Sequence, residues 1–260
     1  MLTRAIVFAM GCGAVLSGCS AAQPRAGAER TQEIIDNLIQ AGFPDDDIMT
    51  VGDLVYVGRD AEVPLEASRE MVTVDGATTD EQYRTTNLVS VALRVICING
   101  AVLTGTLSQG LNAAIANYNA LALSFRMVRT SGSVTGCDAV ITVRLTSGTG
   151  GSSGFPSGGR PFNAINIGSG LASFDVNTIE HVFTHELGHC LGLRHSDFFN
   201  RSISCGGAAT NEGNGGVGAI LIPGTPSGAT VGGSVMNSCF RALETGEFSP
   251  SDIAALRALY

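Results

Sequence analysis

Three histidines and one glutamate are spaced so that they can hold a metal ion and use it. His185, Glu186 and His189 form H-E-x-x-H, and Gly192 and His195 extend the pattern to H-E-x-x-H-x-x-G-x-x-H. Residues four apart lie on one helix face, about 6 Å apart along the axis, so His185 and His189 can direct both imidazoles at one ion. Gly192 can end the helix in a left-handed turn that returns His195 as the third ligand. Three protein ligands with one position left open are typical of a catalytic Zn²⁺ site.

Two more residues have roles in this interpretation, and the role of a third is open. Glu186 directly follows the first ligand and is close enough to take a proton from zinc-bound water as a general base. Met236, within Ser-Val-Met-Asn-Ser, resembles the methionine turn that supports the three ligands from below in metzincin zinc proteases, although a lone methionine otherwise indicates core. His181 lies one helical turn before His185 and is either an additional ligand or a packing residue.

The eleven-residue pattern is the signature of the metzincin zinc proteases, and the surrounding sequence resembles one metzincin-like group. His185-Glu186-Leu187-Gly188-His189 differs only by leucine for isoleucine from the motif that names the bacterial dual-action HEIGH metallopeptidases. The resemblance covers residues 82–260, beginning with Gln-Tyr-Arg-Thr-Thr-Asn-Leu-Val at 82–89. It implies a secreted or surface zinc endopeptidase with a short N-terminal pro-region.

The patterns along the chain predict an α+β fold, a metzincin-like zincin domain with a twisted mixed β-sheet, a zinc-binding helix and a loop-rich C-terminal half that ends in a helix. The predicted elements are strand 88–98, helix 108–123, strands 125–128 and 139–145, glycine-serine loop 147–159, strand 164–167, a zinc helix from 175–178 to Gly192, and a last helix capped by Ser249. We expect strand 164–167 to be the edge strand that pairs with an extended polypeptide substrate.

The first residues indicate export. Residues 1–19 combine a short basic start with an apolar run of about a dozen residues, which is too short for a permanent membrane span. Leu-Ser-Gly-Cys at 16–19 resembles a lipobox and predicts lipidation of Cys19, whereas Ser-Ala-Ala at 20–22 would suit an ordinary signal cleavage. We therefore expect a lipoprotein at the cell envelope or surface, or a secreted protein. A lipid anchor would be its only contact with the membrane.

The remaining chain divides into three predicted parts. Residues 20–30 form a tether, residues 31–75 a helix-plus-hairpin pro-segment, and residues 76–260 the catalytic domain. Some metzincin pro-segments place the aspartate of a Gly-Asp pair on the zinc in place of water, and Asp53 in Val-Gly-Asp is the candidate for such a latency ligand. The alternative for Asp53 is a plain turn before a strand.

Export into an oxidising compartment predicts disulfides. Cys97 and Cys137 form one candidate pair. Of Cys190, Cys205 and Cys239, two are expected to pair, with Cys205–Cys239 favoured. Cys190 would then be a buried, unreactive thiol on the zinc helix.

Composition narrows the function further. The net charge of −8 argues against nucleic-acid binding, which favours a basic surface, and we expect a monomer. Zinc-dependent peptide hydrolysis is the favoured activity. Two alternatives are a zinc hydrolase of cell-wall peptide amides and a non-enzymatic surface lipoprotein that keeps the fold for binding. Glu186 argues against the second, since a binding site needs no general base there.

Overall fold

The computed structural model describes residues 26–72, 82–213, 218–226, 228–241 and 244–260. The signal sequence, the lipobox with Cys19 and the first part of the tether lie outside these residues. The elements, in chain order, are α1 (Ala26–Gln40), β1 (Met49–Val51), β2 (Leu54–Val57), β3 (Ala61–Glu62), α2 (Leu65–Val72), β4 (Tyr83–Arg84), β5 (Val95–Asn99), α3 (Gly105–Ala120), β6 (Arg126–Thr130), β7 (Ala139–Thr146), β8 (Gly151–Gly154), β9 (Ala164–Gly168), α4 (Val176–Leu191), α5 (Ser202–Cys205), β10 (Ile220–Leu221) and α6 (Pro250–Leu259).

One mixed sheet spans most of the molecule, and this confirms the predicted α+β class. Its strand order is β1-β2-β3-β8-β9-β7-β5-β6. The pairs of β5 with β6, β5 with β7 and β7 with β9 are parallel, whereas β8 runs antiparallel to β9. A second small sheet joins β10 to β4. After α4 the described chain contains only the short α5 and β10 before α6, so the C-terminal half is loop-rich as predicted.

The prediction that strand 164–167 lies at the edge of the sheet is wrong. Strand β9, which contains residues 164–167, pairs with β7 on one side and with β8 on the other, so it lies inside the sheet. The sequence 147–159 has few β-branched residues and was predicted as a loop, yet its segment Gly151–Gly154 forms β8. The outer side of β8 in turn pairs in parallel with β3, through Ala61 opposite Ser153 and Glu62 opposite Gly154.

Residues 26–72, called the N-terminal segment below, are therefore built into the main sheet. Helix α1 begins at Ala26, so helix replaces the last five residues of the predicted tether. The segment has a small apolar core of its own, which Phe155 from the residues after β8 completes. The buried residues of this core are Ile34, Leu38, Ala41, Phe43, Val55, Val57, Ala61, Val63, Ala67, Met71 and Phe155.

Helix α4 lies at the centre of the second, larger core. The Asp175 side chain caps its start by accepting a hydrogen bond from the Thr178 amide, and Gly192 ends it with a left-handed φ of 104°. Both ends agree with the sequence prediction. The Tyr118 hydroxyl of α3 donates to the Thr184 carbonyl of α4 at 2.9 Å, and a side chain at Gly110 of α3 would overlap Ile179. Close packing therefore fixes the helix that carries the histidines.

Both predicted disulfides are present. One joins Cys97 to Cys137 and the other joins Cys205 to Cys239. Cys190 is the free cysteine among the described residues; it is buried in α4, and burial raises the pKa of its thiol. Within the part of the chain that the structure describes, no helix combines the length and apolar character needed to cross a membrane.

Candidate metal centre

His185, His189 and His195 converge, and an aspartate from the N-terminal segment completes the group. One ligand atom from each histidine and one from Asp60 all lie within 4.8 Å of one another. His195 Nε2 is 3.2 Å from His185 Nε2 and 3.2 Å from Asp60 Oδ2. The Asp60 carboxylate also lies 3.7 Å from Nε2 of both His185 and His189. The elements that meet here are α4, the bend after Gly192 and the turn between β2 and β3.

The Nδ1 atom of each histidine has a fixed partner, which leaves Nε2 facing the centre. His185 Nδ1 lies 2.9 Å from the Val235 carbonyl, and His189 Nδ1 lies 2.8 Å from the Leu193 carbonyl. Because a carbonyl oxygen only accepts, these two Nδ1 atoms carry the proton. Burial lowers the pKa of His189 to about 3, with His185 adding to the effect, so this imidazole is neutral. His185 and His189 therefore both turn Nε2 towards the centre.

The donor set fits a zinc ion. His189 Nε2 and Asp60 Oδ1 are buried without a hydrogen-bond partner, which is costly for polar atoms unless an ion binds them. Three imidazoles and one carboxylate are ligands that zinc accepts. Zn–N distances of about 2.0–2.1 Å in a tetrahedron place ligand atoms about 3.3 Å apart, close to the separation of the His185 and His195 nitrogens.

The prediction that Asp53 lies at the zinc ligands is wrong, because the aspartate beside the three histidines is Asp60. Asp53 is exposed in the turn between β1 and β2, where its carbonyl accepts a hydrogen bond from Thr31 Oγ1. Asp60 lies beyond the other end of β2. Four residues of extended strand separate the two turns by more than about 10 Å, so only one of them can reach the histidines. The sequence contains a signal that could have found it, since Gly58-Arg59-Asp60 is a second turn with an aspartate.

The charges in the centre depend on one another. Burial alone would raise the pKa of Asp60, but the three histidines, His195 first, outweigh it and hold that pKa well below its ordinary value. Burial alone would lower the pKa of His195, but the carboxylates of Asp60 and Glu212 raise it well above its ordinary value. A metal ion at His195 therefore competes with a proton that the two carboxylates favour.

Glu186 lies in a closed environment beside the ligands. The Ser153 hydroxyl of β8 is 2.7 Å from Glu186 Oε2 and 2.8 Å from the Glu186 carbonyl. Burial, together with the charge on Asp60, raises the pKa of Glu186 well above its ordinary value. A side chain at Gly151 would come within 2.6 Å of Glu186 Oε1, so the neighbouring strand must have glycine there. A carboxyl with a raised pKa is a stronger base than an ordinary glutamate and can return the proton that it has accepted.

Met236 lies directly under the histidine helix. A side chain at Gly188, between His185 and His189, would come within 2.5 Å of Met236 Sδ. The residue before it, Val235, provides the carbonyl that holds His185, and the Met236 carbonyl accepts from the Ser196 amide at 2.8 Å. The Met236 segment is therefore in contact with two parts of the centre.

His181 is not part of the convergent group. Its Nδ1 lies 2.9 Å from the Thr245 carbonyl, and its ring packs against Phe240. Burial lowers the pKa of His181 to about 4. His181 borders a cavity of about 170 Å³ that Asp60, Val182 and Glu186 also line. The cavity thus opens on the general-base candidate and on the aspartate from the N-terminal segment.

Three polar partners of this centre were missed by the sequence reasoning. Glu212 contacts His195, Ser153 contacts Glu186, and Asp252 accepts from the Val235 amide and from Ser234. Each is far from its partner in sequence and belongs to no local motif. Asp252 also belongs to the capping box at the start of α6.

Comparison with known proteins gives a family match in sequence and matches among solved structures. The sequence profile of the family described as dual-action HEIGH metallopeptidases matches residues 55–260, a range that begins in β2 and includes Asp60. No curated protein matches the chain. A structure of myroilysin aligns at 13% identity over 65% of this chain and 93% of that chain, with a TM-score of 0.39. A second myroilysin structure aligns at 14% identity over 62% of this chain and 80% of that chain, with a TM-score of 0.36.

Proposed function

We propose, since this chain belongs to the dual-action HEIGH metallopeptidase family, that it is an exported zinc endopeptidase which its own N-terminal segment keeps latent. Membership makes the chain a zinc-dependent metallopeptidase, a hydrolase of peptide bonds. The observation that carries the finer proposal is the group of three imidazoles with Asp60 at the fourth position. Asp60 stands where a catalytic site keeps room for water or substrate.

In the active form, Glu186 is the general base. Bound zinc, held by His185, His189 and His195, supplies polarisation of the scissile carbonyl and lowers the pKa of bound water. The Glu186 carboxylate accepts the proton from the attacking water and later passes it to the leaving amine. Ser153 orients that carboxylate through its hydroxyl. Met236 supports the ligands from below without binding the ion.

The same N-terminal segment that supplies Asp60 occupies the sheet edge that a substrate needs. Within residues 82–260, β8 is the edge strand beside the centre, and β3 is hydrogen-bonded to it. An extended peptide can add to a free edge by main-chain hydrogen bonds. We therefore assign substrate binding to β8, after β3 and Asp60 have moved away together.

Export of the chain rests on its sequence and is consistent with its cysteines. Both disulfides suit an oxidising compartment. Lipidation of Cys19, cleavage of the signal and a monomeric state stay predictions. Mass spectrometry of the protein from a membrane fraction would detect the lipid on Cys19, and an unmodified N-terminus after residue 22 would favour simple secretion.

The decisive experiment compares Glu186→Gln with the parent protein, both carrying Asp60→Ala, which frees the fourth position and removes the ligand that holds β3 and its turn at the centre. We expect one zinc per chain in both, and cleavage of unfolded casein that falls by about 10²–10⁴-fold in the Glu186→Gln protein, because a positioned general base contributes that much. Undiminished cleavage with Glu186→Gln would contradict the assigned base.

The same experiment distinguishes between the possible substrate classes. If the parent protein binds zinc and leaves casein intact but releases peptides from purified cell wall, the amide-hydrolase alternative replaces the endopeptidase. If it binds zinc and cleaves neither, the proposal of an active peptidase fails and the binding-protein alternative takes its place.

A further inference from the structure

The three histidines are not held alike. His185 and His189 direct Nδ1 at backbone carbonyls, whereas His195 Nδ1 lies 2.7 Å from the carboxylate oxygen Glu212 Oε1. A carboxylate is a stronger acceptor than a carbonyl. It fixes the Nδ1-protonated tautomer and makes the opposite nitrogen a better electron donor. His195 needs such a partner most, because it follows the helix on a bend, outside the regular backbone that places the other two.

Glu212 is itself built into a buried ion cluster. Arg201 Nη1 donates to Glu212 Oε1 at 2.8 Å, and Arg194 Nη2 lies 3.6 Å from Oε2. Ser238, two residues after Met236, also donates to Oε1 at 3.2 Å. A buried carboxylate with two cationic neighbours is a fixed acceptor, because moving it would leave charges unpaired.

The cluster is held in place from several sides. The Arg194 guanidinium lies between the Phe43 and Phe198 rings, 4.6 and 4.9 Å from their centroids. The Glu212 amide donates to the Phe198 carbonyl at 2.8 Å. These contacts hold the Glu212 backbone against Phe198, which lies three residues after His195. The position of the carboxylate is therefore set independently of any metal.

From this geometry we infer that Glu212 is a positioning residue for the metal centre: its carboxylate orients His195, fixes its tautomer and strengthens its bond to zinc. Glu212 does not touch the ion or the substrate. The inference deepens the proposed function and rests on the zinc site that the function requires. It predicts that the bond of His195 to zinc depends on a side chain far away in the sequence, whereas the bonds of the two helix histidines do not.

The test measures zinc affinity by competition with a chromophoric chelator for the full chain carrying Glu212→Gln. Gln keeps the shape and loses the charge, so we expect the zinc dissociation constant to rise by about 10–100-fold, with Glu212→Asp between Gln and wild type. The matched control is Asp197→Asn. Asp197 is a buried carboxylate in the same loop that accepts from Ser238 and Ser204 without touching a ligand, and its variant should stay within about twofold of wild type.

Two results overturn the inference: a zinc affinity of the folded Glu212→Gln protein within twofold of wild type, or equal losses in the Gln variant and in the Asp197→Asn control. If Glu212→Gln does not fold, nitrogen-15 histidine spectra of the wild-type zinc protein decide. One Nδ1 proton, that of His195, should resonate clearly downfield of the other two ligand protons, and three equal shifts would refute the role. None of these readouts needs peptide cleavage, so they stand or fall separately from the peptidase activity.

Discussion

Asp60 faces all three histidines from a turn that other contacts also hold in place. Two residues earlier, the Gly58 carbonyl accepts from Arg201 Nη1 at 2.5 Å, and the Gly58 amide donates to Asp47 Oδ2 at 2.9 Å. Position 58 favours glycine, because its φ of 60° is left-handed and a side chain there would come within 3.1 Å of His195 Nδ1. The turn therefore presents Asp60 to the centre with little freedom.

At this scale we predict that Asp60→Ala activates the uncleaved chain. Removal of the carboxylate frees the fourth position, and the rate of casein cleavage should rise by at least about tenfold, equivalent to about 1.4 kcal/mol taken from the closed state. Asp53→Ala is the matched control, since it is an exposed aspartate of the same segment at the opposite end of β2. An equal rate for wild type and Asp60→Ala would show that Asp60 does not restrain the site.

At the scale of elements, α4 and the Met236 segment fit each other through Gly188. We predict that Gly188→Ala destabilises the protein by about 1–3 kcal/mol, the usual effect of overpacking, because the new methyl group meets Met236 Sδ. Chemical denaturation measures the free energy of unfolding. Gly228→Ala, in open space, is the control and should differ little from wild type.

The double variant Gly188→Ala with Met236→Ala isolates the contact. Because the smaller side chain makes room, the loss for the double variant should be smaller than the sum of the two single losses, by at least about 0.5 kcal/mol. Strictly additive losses would mean that Gly188 and Met236 do not meet.

Elements with local signals were predicted well, and elements that depend on distant pairing were not. The cap of α4 at Asp175, its end at Gly192 and the capping box of α6 at Ser249 are each written in a few neighbouring residues. Strand β8 has no such signal, because a Gly-Ser-Ser-Gly sequence becomes a strand only when β9 and β3 lie on either side of it.

The same division holds within the centre. The three histidines and Glu186 follow from helical spacing, whereas Asp60 and Glu212 reach them through chain separations that no motif records. The Gly-Asp pair favours Asp53, because Asp53 directly follows Gly52 whereas Arg59 separates Asp60 from Gly58. Only the register of β2 decides which of the two turns faces the histidines. Sequence spacing alone contains no information on that register.

At the scale of the whole molecule, a bound zinc ion should join the larger core around α4, which provides histidine ligands, to the N-terminal segment, which provides Asp60. We predict that saturating zinc, at about 1,000 times its dissociation constant, stabilises the folded chain by about 4 kcal/mol, and that chelation lowers Tm by about 10 °C. Differential scanning calorimetry with and without chelator measures this. His189→Gln should abolish the shift.

His181→Asn is the matched control for calorimetry, because His181 is a buried histidine of the same helix whose ring nitrogen bonds to Thr245 and not to the centre. It should keep the zinc-dependent shift in full. A shift lost in His181→Asn as well as in His189→Gln would place His181 among the ligands and contradict the assignment of His195 as the third.

Because β3 pairs with β8, release of the N-terminal segment after a chain cut would depend on the protein concentration. As long as residues 26–72 and 82–260 are one chain, the edge of β8 meets its partner at an effective concentration on the order of millimolar. A single cut between residues 72 and 82 would replace that value by the concentration of the protein itself. The severed segment would stay bound in a concentrated preparation and leave in a dilute one. If the chain is exported, as we propose, and cut there, dilution outside the cell would release the segment and free the edge of β8.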